Sequence, residues 1–343
     1  MKERRKIEHL SPAQLRAMAA AGVLAPAAEL LPGLLVPWAG RGAWLSVLLG
    51  SLLALGLWHL SARGRRGSLP TPLLFIYMVW GALLLALRLR LCAQRLLSAG
   101  ERDGSLGFFL LLLTLLLLKL CTGTLPAFGR AAQIFGAVLF FAAGAVLLLS
   151  LGRCRWERVI LIEAAWPDVL LSALPAAGVL LWGLPAAFLD TEREDGPGRG
   201  LPFCLLLTAA QLVILACLGA GLAGRMDRPF FALAKGVGVE GAFRRVESCV
   251  AALWSFADLT MAGVLLFALR RGVGRLWGEG REQRGAVLIL LGCGALARWG
   301  FPHPGVLTEL QRVFVPAGNL VLGCIPLLLW PGRKKSKKLE ENR

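Results

Sequence analysis

The sequence predicts an all-α membrane protein with ten transmembrane helices, and three observations carry that prediction. Of 343 residues, 57% are hydrophobic and only 17% charged, with a mean hydropathy of +0.66. Average soluble domains carry about a quarter charged residues. The apolar residues also come in long continuous blocks, such as Leu106–Leu118 and Ala137–Leu151, rather than in the alternation that barrel strands require. Finally, the blocks recur at the length of about 20 residues that a helix needs to cross a hydrocarbon core. A soluble globular enzyme and a disordered chain are both excluded on these grounds.

In order, the spans are expected at residues 12–35, 41–61, 70–92, 106–125, 131–151, 167–189, 201–223, 247–270, 285–300 and 306–330. The first lacks a small-residue cleavage site after a short apolar core, so it is expected to remain as a signal anchor. It contains Gly22, Pro26, Pro32 and Gly33; the sixth contains Pro175, Gly178, Gly183 and Pro185. Proline removes a backbone donor and crowds the preceding turn, so both spans are expected to be broken helices. Positions one and six correspond if five spans repeat as five inverted spans, which predicts a 5+5 inverted-repeat transporter-type fold. The whole chain, 1–343, then forms a single transmembrane domain, with repeats at about 12–151 and 167–330 and a basic tail at 331–343. Between spans lie two half-polar stretches, Arg153–Trp166 and Asp227–Arg244, expected to lie at the membrane interface.

Lysine and arginine number 38 against 21 acids, a net charge of +17, and the densest runs are MKERRK and RKKSKK at the two ends. These runs flank apolar blocks, which favours the positive-inside rule and anionic lipid over nucleic acid as partner. Both termini are accordingly expected in the cytoplasm, although the loop Asp190–Arg199 on that side carries four acids and two arginines. The eight cysteines form no Cys-x-x-Cys pair and read as small buried residues. Three dispersed histidines suggest no metal site, and no cofactor is expected.

Ionisable residues inside spans cost a few kcal/mol at the bilayer centre unless paired or hydrated, so each is a functional candidate. Glu29 lies beside the expected break of span one, Lys119 near the end of span four, and Asp258 deep in span eight. Lys119 has the length to snorkel to the cytoplasmic interface. Glu309 and Arg312, three apart, are expected to pair on one helix face. Asp258 either lines a site or bonds a neighbouring helix. Tyr77, the only tyrosine, falls in mid-span three, where its hydroxyl can donate to a carboxylate or simply pack.

The stretches IEHLSPAQLRAMAAAGVLAP, GRGAWLSVLLGSLLALG and RPFFALAKGVGVEGAFRRVESCVAALWSFADL together resemble the endospore germination permeases. These are the B subunits of nutrient germinant receptors, in the amino acid–polyamine–organocation transporter superfamily. The likeness runs over nearly the whole chain: a Ser-Pro-x-Gln helix start, a small-residue break, a Gly-x-x-x-Trp entry to span two, and a Pro-containing segment leading into a Trp-containing span. Arg245, Glu247 and Trp254 hold the family's Arg, Glu and Trp places, while Arg244 stands where members often carry Glu. The resemblance implies a ten-helix fold, residence in a spore inner membrane, and a complex with an A subunit and a lipoprotein C subunit. It also implies recognition of a small germinant, foremost an amino acid.

On this reading the ligand sits between spans one and six. Backbone groups of Gly22, Val23, Leu24, Ala25 and Pro26 face those of Ala173, Leu174, Pro175 and Gly178, as half-helix ends do in such folds. Tyr77 is the expected partner of a ligand carboxylate and Asp258 of an amine or cation. Glu29, Lys119, Arg245 and Glu247 are the expected coupling or structural charges. A proton- or sodium-coupled amino acid or polyamine permease is the alternative, with Asp258 or Glu29 carrying the proton; a scaffold or ion-conduit subunit without ligand is a third. No Ser-His or paired-Asp arrangement suggests catalysis.

Overall fold

The computed structural model describes residues 10–64, 70–100, 105–160, 165–182, 200–226, 228–236, 246–301 and 303–328. Every extended regular element among them is helical. Helix α1 spans Pro12–Ala39, α2 Ala43–Gly64, α3 Thr71–Gly100, α4 Leu106–Cys121 and α5 Leu125–Ser150. Then follow α6 at Trp166–Leu180, α7 at Leu201–Leu218, the single turn α8 at Ala220–Ala223, and α9 at Pro229–Gly236. The chain continues with α10 at Val246–Trp277, α11 at Glu282–Trp299 and α12 at Pro304–Glu309. A π-helical turn at Leu310–Phe314 joins α12 to α13 at Val315–Leu328. Each of the ten expected spans thus meets a helix, with α12 and α13 forming the tenth. Helix α9 falls inside the half-polar stretch before span eight.

Local chemistry explains the boundaries. Ser11 caps α1: its hydroxyl accepts from the Gln14 amide at 3.2 Å while the Gln14 side chain accepts from the Ser11 amide at 3.0 Å, and Pro12 occupies the first turn. Ser105 caps α4 in the same way through the Phe108 amide at 3.2 Å. Gly219 ends α7 at φ 78°, a conformation that a side chain would strain.

One expectation is corrected, for span one: helix α1 runs without interruption through Pro26, Pro32 and Pro37. In span six, α6 runs through Pro175 and ends at Leu180, short of the expected residue 189. Proline's fixed φ fits a helix, so each ring forfeits one backbone hydrogen bond without ending the element, and neighbouring helices supply the lost packing. The second pair of breakers in span six, Gly183 and Pro185, and the acidic loop Asp190–Arg199 lie outside the described residues.

Stretches Pro26–Leu60, Thr71–Leu97, Leu125–Arg153, Leu201–Leu218 and Ala252–Trp277 are long and apolar enough to cross a membrane, and α4 and α6 are shorter apolar helices. Large apolar side chains point outward along them, including Phe108, Ile134, Phe141, Leu148, Leu171 and Leu205. Such a belt belongs against lipid. The chain is an all-α, multi-pass membrane protein.

The interior is organised by helix pairs: α1 packs on α6, α2 on α7, α3 on α10 and α4 on α11. Each of the first four spans therefore touches the span five places later. Helices α3 and α10 are the most enclosed spans. Small residues and polar links hold these contacts. Ser46 of α2 donates to the Val169 carbonyl of α6 at 3.0 Å. Asn319 of α13 accepts from Trp80 Nε1 of α3 at 2.9 Å and donates to the Gly178 carbonyl of α6 at 3.0 Å. Helix α9 seats Phe230 on the buried Trp254 ring, with centroids 4.8 Å apart.

Cysteines 63 positions apart in the chain also meet. Cys154, beyond α5, and Cys217, in the last turn of α7, place their sulfurs 3.5 Å apart, and the Arg155 amide donates to the Ala216 carbonyl beside them at 3.1 Å. Mild oxidation with copper phenanthroline is expected to join this pair within one chain and remove two alkylatable thiols, read by mass spectrometry. Two thiols that stay free in the folded protein would contradict the packing of residues 151–159 on α7.

Candidate functional site

Four charged side chains from three helices meet inside the bundle. Helix α3 carries Arg88 and Arg95, seven positions apart and so about two turns along one face. Asp258 of α10 sits between them: Arg88 Nη1 donates to Oδ1 at 3.0 Å and Arg95 Nη1 to Oδ2 at 2.7 Å. Arg95 Nη2 then reaches Glu29 Oε2 of α1 at 2.6 Å. Asp258 is 0% and Arg88 1% exposed. The enclosed packing of α3 against α10 forces this burial, and the alternation of charge makes it tolerable: each ion would cost several kcal/mol alone, and each has an opposite partner. The Trp182 ring lies against the Arg88 guanidinium, 4.2 Å from ring centroid to Cζ.

The network forms one wall of a cavity of about 520 Å³, within the range of small-molecule sites. Its lining includes Pro26 and Glu29 of α1, Arg88 and Arg95 of α3, Trp182, Arg228 before α9, and Thr308, Gln311 and Arg312 around the π-helical turn. Several polar atoms of the lining residues are buried without a hydrogen-bond partner: Arg88 Nε and Nη2, Trp182 Nε1 and Glu29 Oε1. Unpaired buried polar atoms are costly, and on a cavity wall they are the groups a ligand would satisfy.

The residues expected from sequence fall into two sets. Pro26 and Glu29 line the cavity, and Asp258 stands one layer behind it, holding both arginines. The others sit at helix contacts or on the surface. Gly22 lets α1 approach α10, since a Cβ there would lie 2.9 Å from Met261 Cε. Val23 and Leu24 are buried in the apolar core, and the Ala25 side chain lies outside the described residues. The Tyr77 hydroxyl donates to the Leu322 carbonyl of α13. Ala173 is buried against Gly50 of α2, Leu174 is exposed, Pro175 is half-buried, and Gly178 packs on Pro316. Lys119 is exposed in the last turn of α4. Arg245 and the Glu247 side chain lie outside the described residues.

Glu309 and Arg312 do not pair: Glu309 is exposed while half-buried Arg312 lines the cavity. The reason is the π-helical turn that begins at Leu310, because its wider winding takes residues three apart off a common face.

The sequence reading passed over Arg88, Arg95, Trp182, Arg228 and Gln311, and gave Arg312 only a pairing with Glu309. A signal existed for Arg88, an arginine inside span three with Arg95 seven positions on. For Gln311 there was none, since a π-helical turn has no signature in these residues.

No protein-family profile matches the chain, and no curated protein matches it. Among solved structures the chain is similar to the manganese transporter of Eremococcus coleocola in complex with an aromatic bis-isothiourea substituted compound. It is equally similar to a histidine-to-alanine mutant of that transporter. Both show 15% identity and a TM-score of 0.42, covering 96% of this chain and 81% of the other. Among the described residues of this chain, no three His, Cys, Asp or Glu side chains gather as a metal ion would require.

Proposed function

We propose that the chain is the ligand-binding membrane subunit of a spore nutrient germinant receptor, working with an A subunit and a lipoprotein C subunit in the spore inner membrane with both termini cytoplasmic. The observation that carries the ligand-binding part is the cavity wall of Glu29, Arg88 and Trp182, where buried donors and one acceptor stand unpaired. The receptor assignment is supported by the sequence resemblance to germination permeases. A small amino acid suits this wall: its carboxylate reaches Arg88 and Trp182, and its ammonium reaches Glu29 Oε1. Binding would redistribute contacts among α1, α3 and α10, which belong to different halves, and partner subunits would read the shift.

The test is germination of spores lacking the gene over a panel of amino acids, sugars and nucleosides. Loss of one response is expected, restored by the wild-type gene. Arg88→Met is expected to raise the germinant concentration needed by about ten- to a hundred-fold, the value of one charge-assisted hydrogen bond of roughly 1.5–3 kcal/mol. A full set of responses in the deletion strain contradicts the receptor role. One observation favours a permease instead: Glu29 Oε1, unpaired on the cavity wall, is placed where a coupling proton could reside. Uptake by the purified chain in liposomes under an imposed proton gradient would decide for that reading.

A further inference from the structure

We propose that Cys154 and Cys217 form a reversible disulfide switch, exchanging with small disulfides of the glutathione class, that staples the segment after α5 to the end of α7. The two sulfurs lie 3.5 Å apart. Both thiols also share one acceptor: the Ser150 carbonyl takes Cys154 Sγ at 3.6 Å and Cys217 Sγ at 3.5 Å. That is van der Waals contact, a side-chain rotation short of a bond. Both cysteines are half-buried, whereas Cys92, Cys121, Cys204 and Cys293 are buried. Exposed Arg153 and Arg155 flank Cys154, and Glu157 is the one acid among residues 151–160. A partly exposed thiol in a positive setting is the kind that reacts, and the same charge attracts an anionic oxidant.

The exchange has two steps. Cys154 attacks oxidised glutathione; the S–S bond of the oxidant breaks, a mixed disulfide forms on Cys154, and one glutathione thiol leaves. Cys217 then attacks Cys154 Sγ, which forms the Cys154–Cys217 bond and releases the second glutathione thiol. The two cysteine protons end on the two released thiols, and the oxidant has taken up one electron pair. Reduced glutathione reverses both steps. In the reduced protein the segment is held by separable contacts. The Arg155 amide donates to the Ala216 carbonyl at 3.1 Å, and Arg158 Nη1 donates to the Cys217 carbonyl at 2.5 Å. Arg153 Nη1 rests on Gly236 at the end of α9, 3.1 Å from where a Cβ would stand. The disulfide makes this attachment covalent across 63 positions of chain.

The experiment equilibrates the purified full-length chain with mixtures of oxidised and reduced glutathione, quenches with acid, alkylates the free thiols and maps the peptides by mass spectrometry. The Cys154–Cys217 link is expected to rise with oxidised glutathione and to vanish again when reduced glutathione is restored. Amide hydrogen exchange over residues 151–159 is expected to slow by about tenfold in the linked protein, because the segment can no longer lift from α7. Cys217→Ser is expected to stop at glutathione on Cys154, with no slowing. Cys154→Ser, the second variant, is expected to leave Cys217 unmodified. Glutathione retained on Cys154 of the wild type, or no reaction at either cysteine of folded protein, overturns the proposal. A link that reduced glutathione fails to open overturns the switch and leaves a permanent disulfide. Unchanged amide exchange in the linked protein overturns the staple, and glutathione on Cys217 of Cys154→Ser overturns the order of attack.

Discussion

Replacing Asp258 with alanine is expected to destabilise the fold by about 3–5 kcal/mol, the usual cost of removing one member of a buried ion network. The carboxylate is 0% exposed and both of its oxygens are engaged, one by Arg88 and one by Arg95. Its loss leaves two guanidinium groups facing each other with only Glu29 between two positive charges. Arg88 would suffer most, because Asp258 is the one acid to which it bonds among the described residues. The check is recovery of monodisperse protein after detergent extraction, with thermal unfolding of what is recovered. Yield and unfolding temperature equal to wild type would contradict the structural role of the network.

A double replacement, Arg88→Met with Asp258→Leu, is expected to recover most of that loss. One positive and one negative charge leave together, and apolar side chains of similar volume fill the space. Arg95 keeps its bond to Glu29 at 2.6 Å. Buried pairs exchanged for packed apolar groups are often neutral or stabilising. Methionine suits the position against the Trp182 ring, since sulfur–aromatic contacts are favourable. The double variant is thus expected to unfold within about 1.5 kcal/mol of wild type, the tolerance of volume-conserving core changes. A double variant as unstable as Asp258→Ala would mean that the charges themselves hold α3 to α10.

Much of the fold was legible because membrane insertion writes itself into composition: a block of about 20 apolar residues is needed per crossing, and each expected span meets a helix. The Ser11–Gln14 capping arrangement and the amphipathic turn at Pro229–Gly236 were legible for similarly local reasons. Helix continuity was not. Proline in α1 reads as a break in one dimension, and only packing decides whether it ends the element or merely costs a hydrogen bond.

The candidate site was legible in halves. Glu29 and Asp258 stood out as acids in apolar surroundings, but what each faces is a tertiary fact. Asp258 was expected either to meet a ligand amine or cation or to bond a neighbouring helix, and it bonds two arginines of α3 from the first half of the chain. Arg312 was expected to pair with Glu309, and a π-helical turn sends it to the cavity instead. For Arg312 the spacing along the chain was read correctly and the side chain lies elsewhere.

The double variant also gives the most direct test of the central claim, that the wall carrying Arg88 is where the protein meets its ligand. Isothermal titration of glutamate and of alanine into wild type and into Arg88→Met with Asp258→Leu, both in phosphatidylcholine nanodiscs, separates binding from folding. The account predicts a folded variant that has lost the binding seen in wild type. A folded variant that binds either solute as tightly as wild type would place the ligand elsewhere and leave the buried charges a purely structural role.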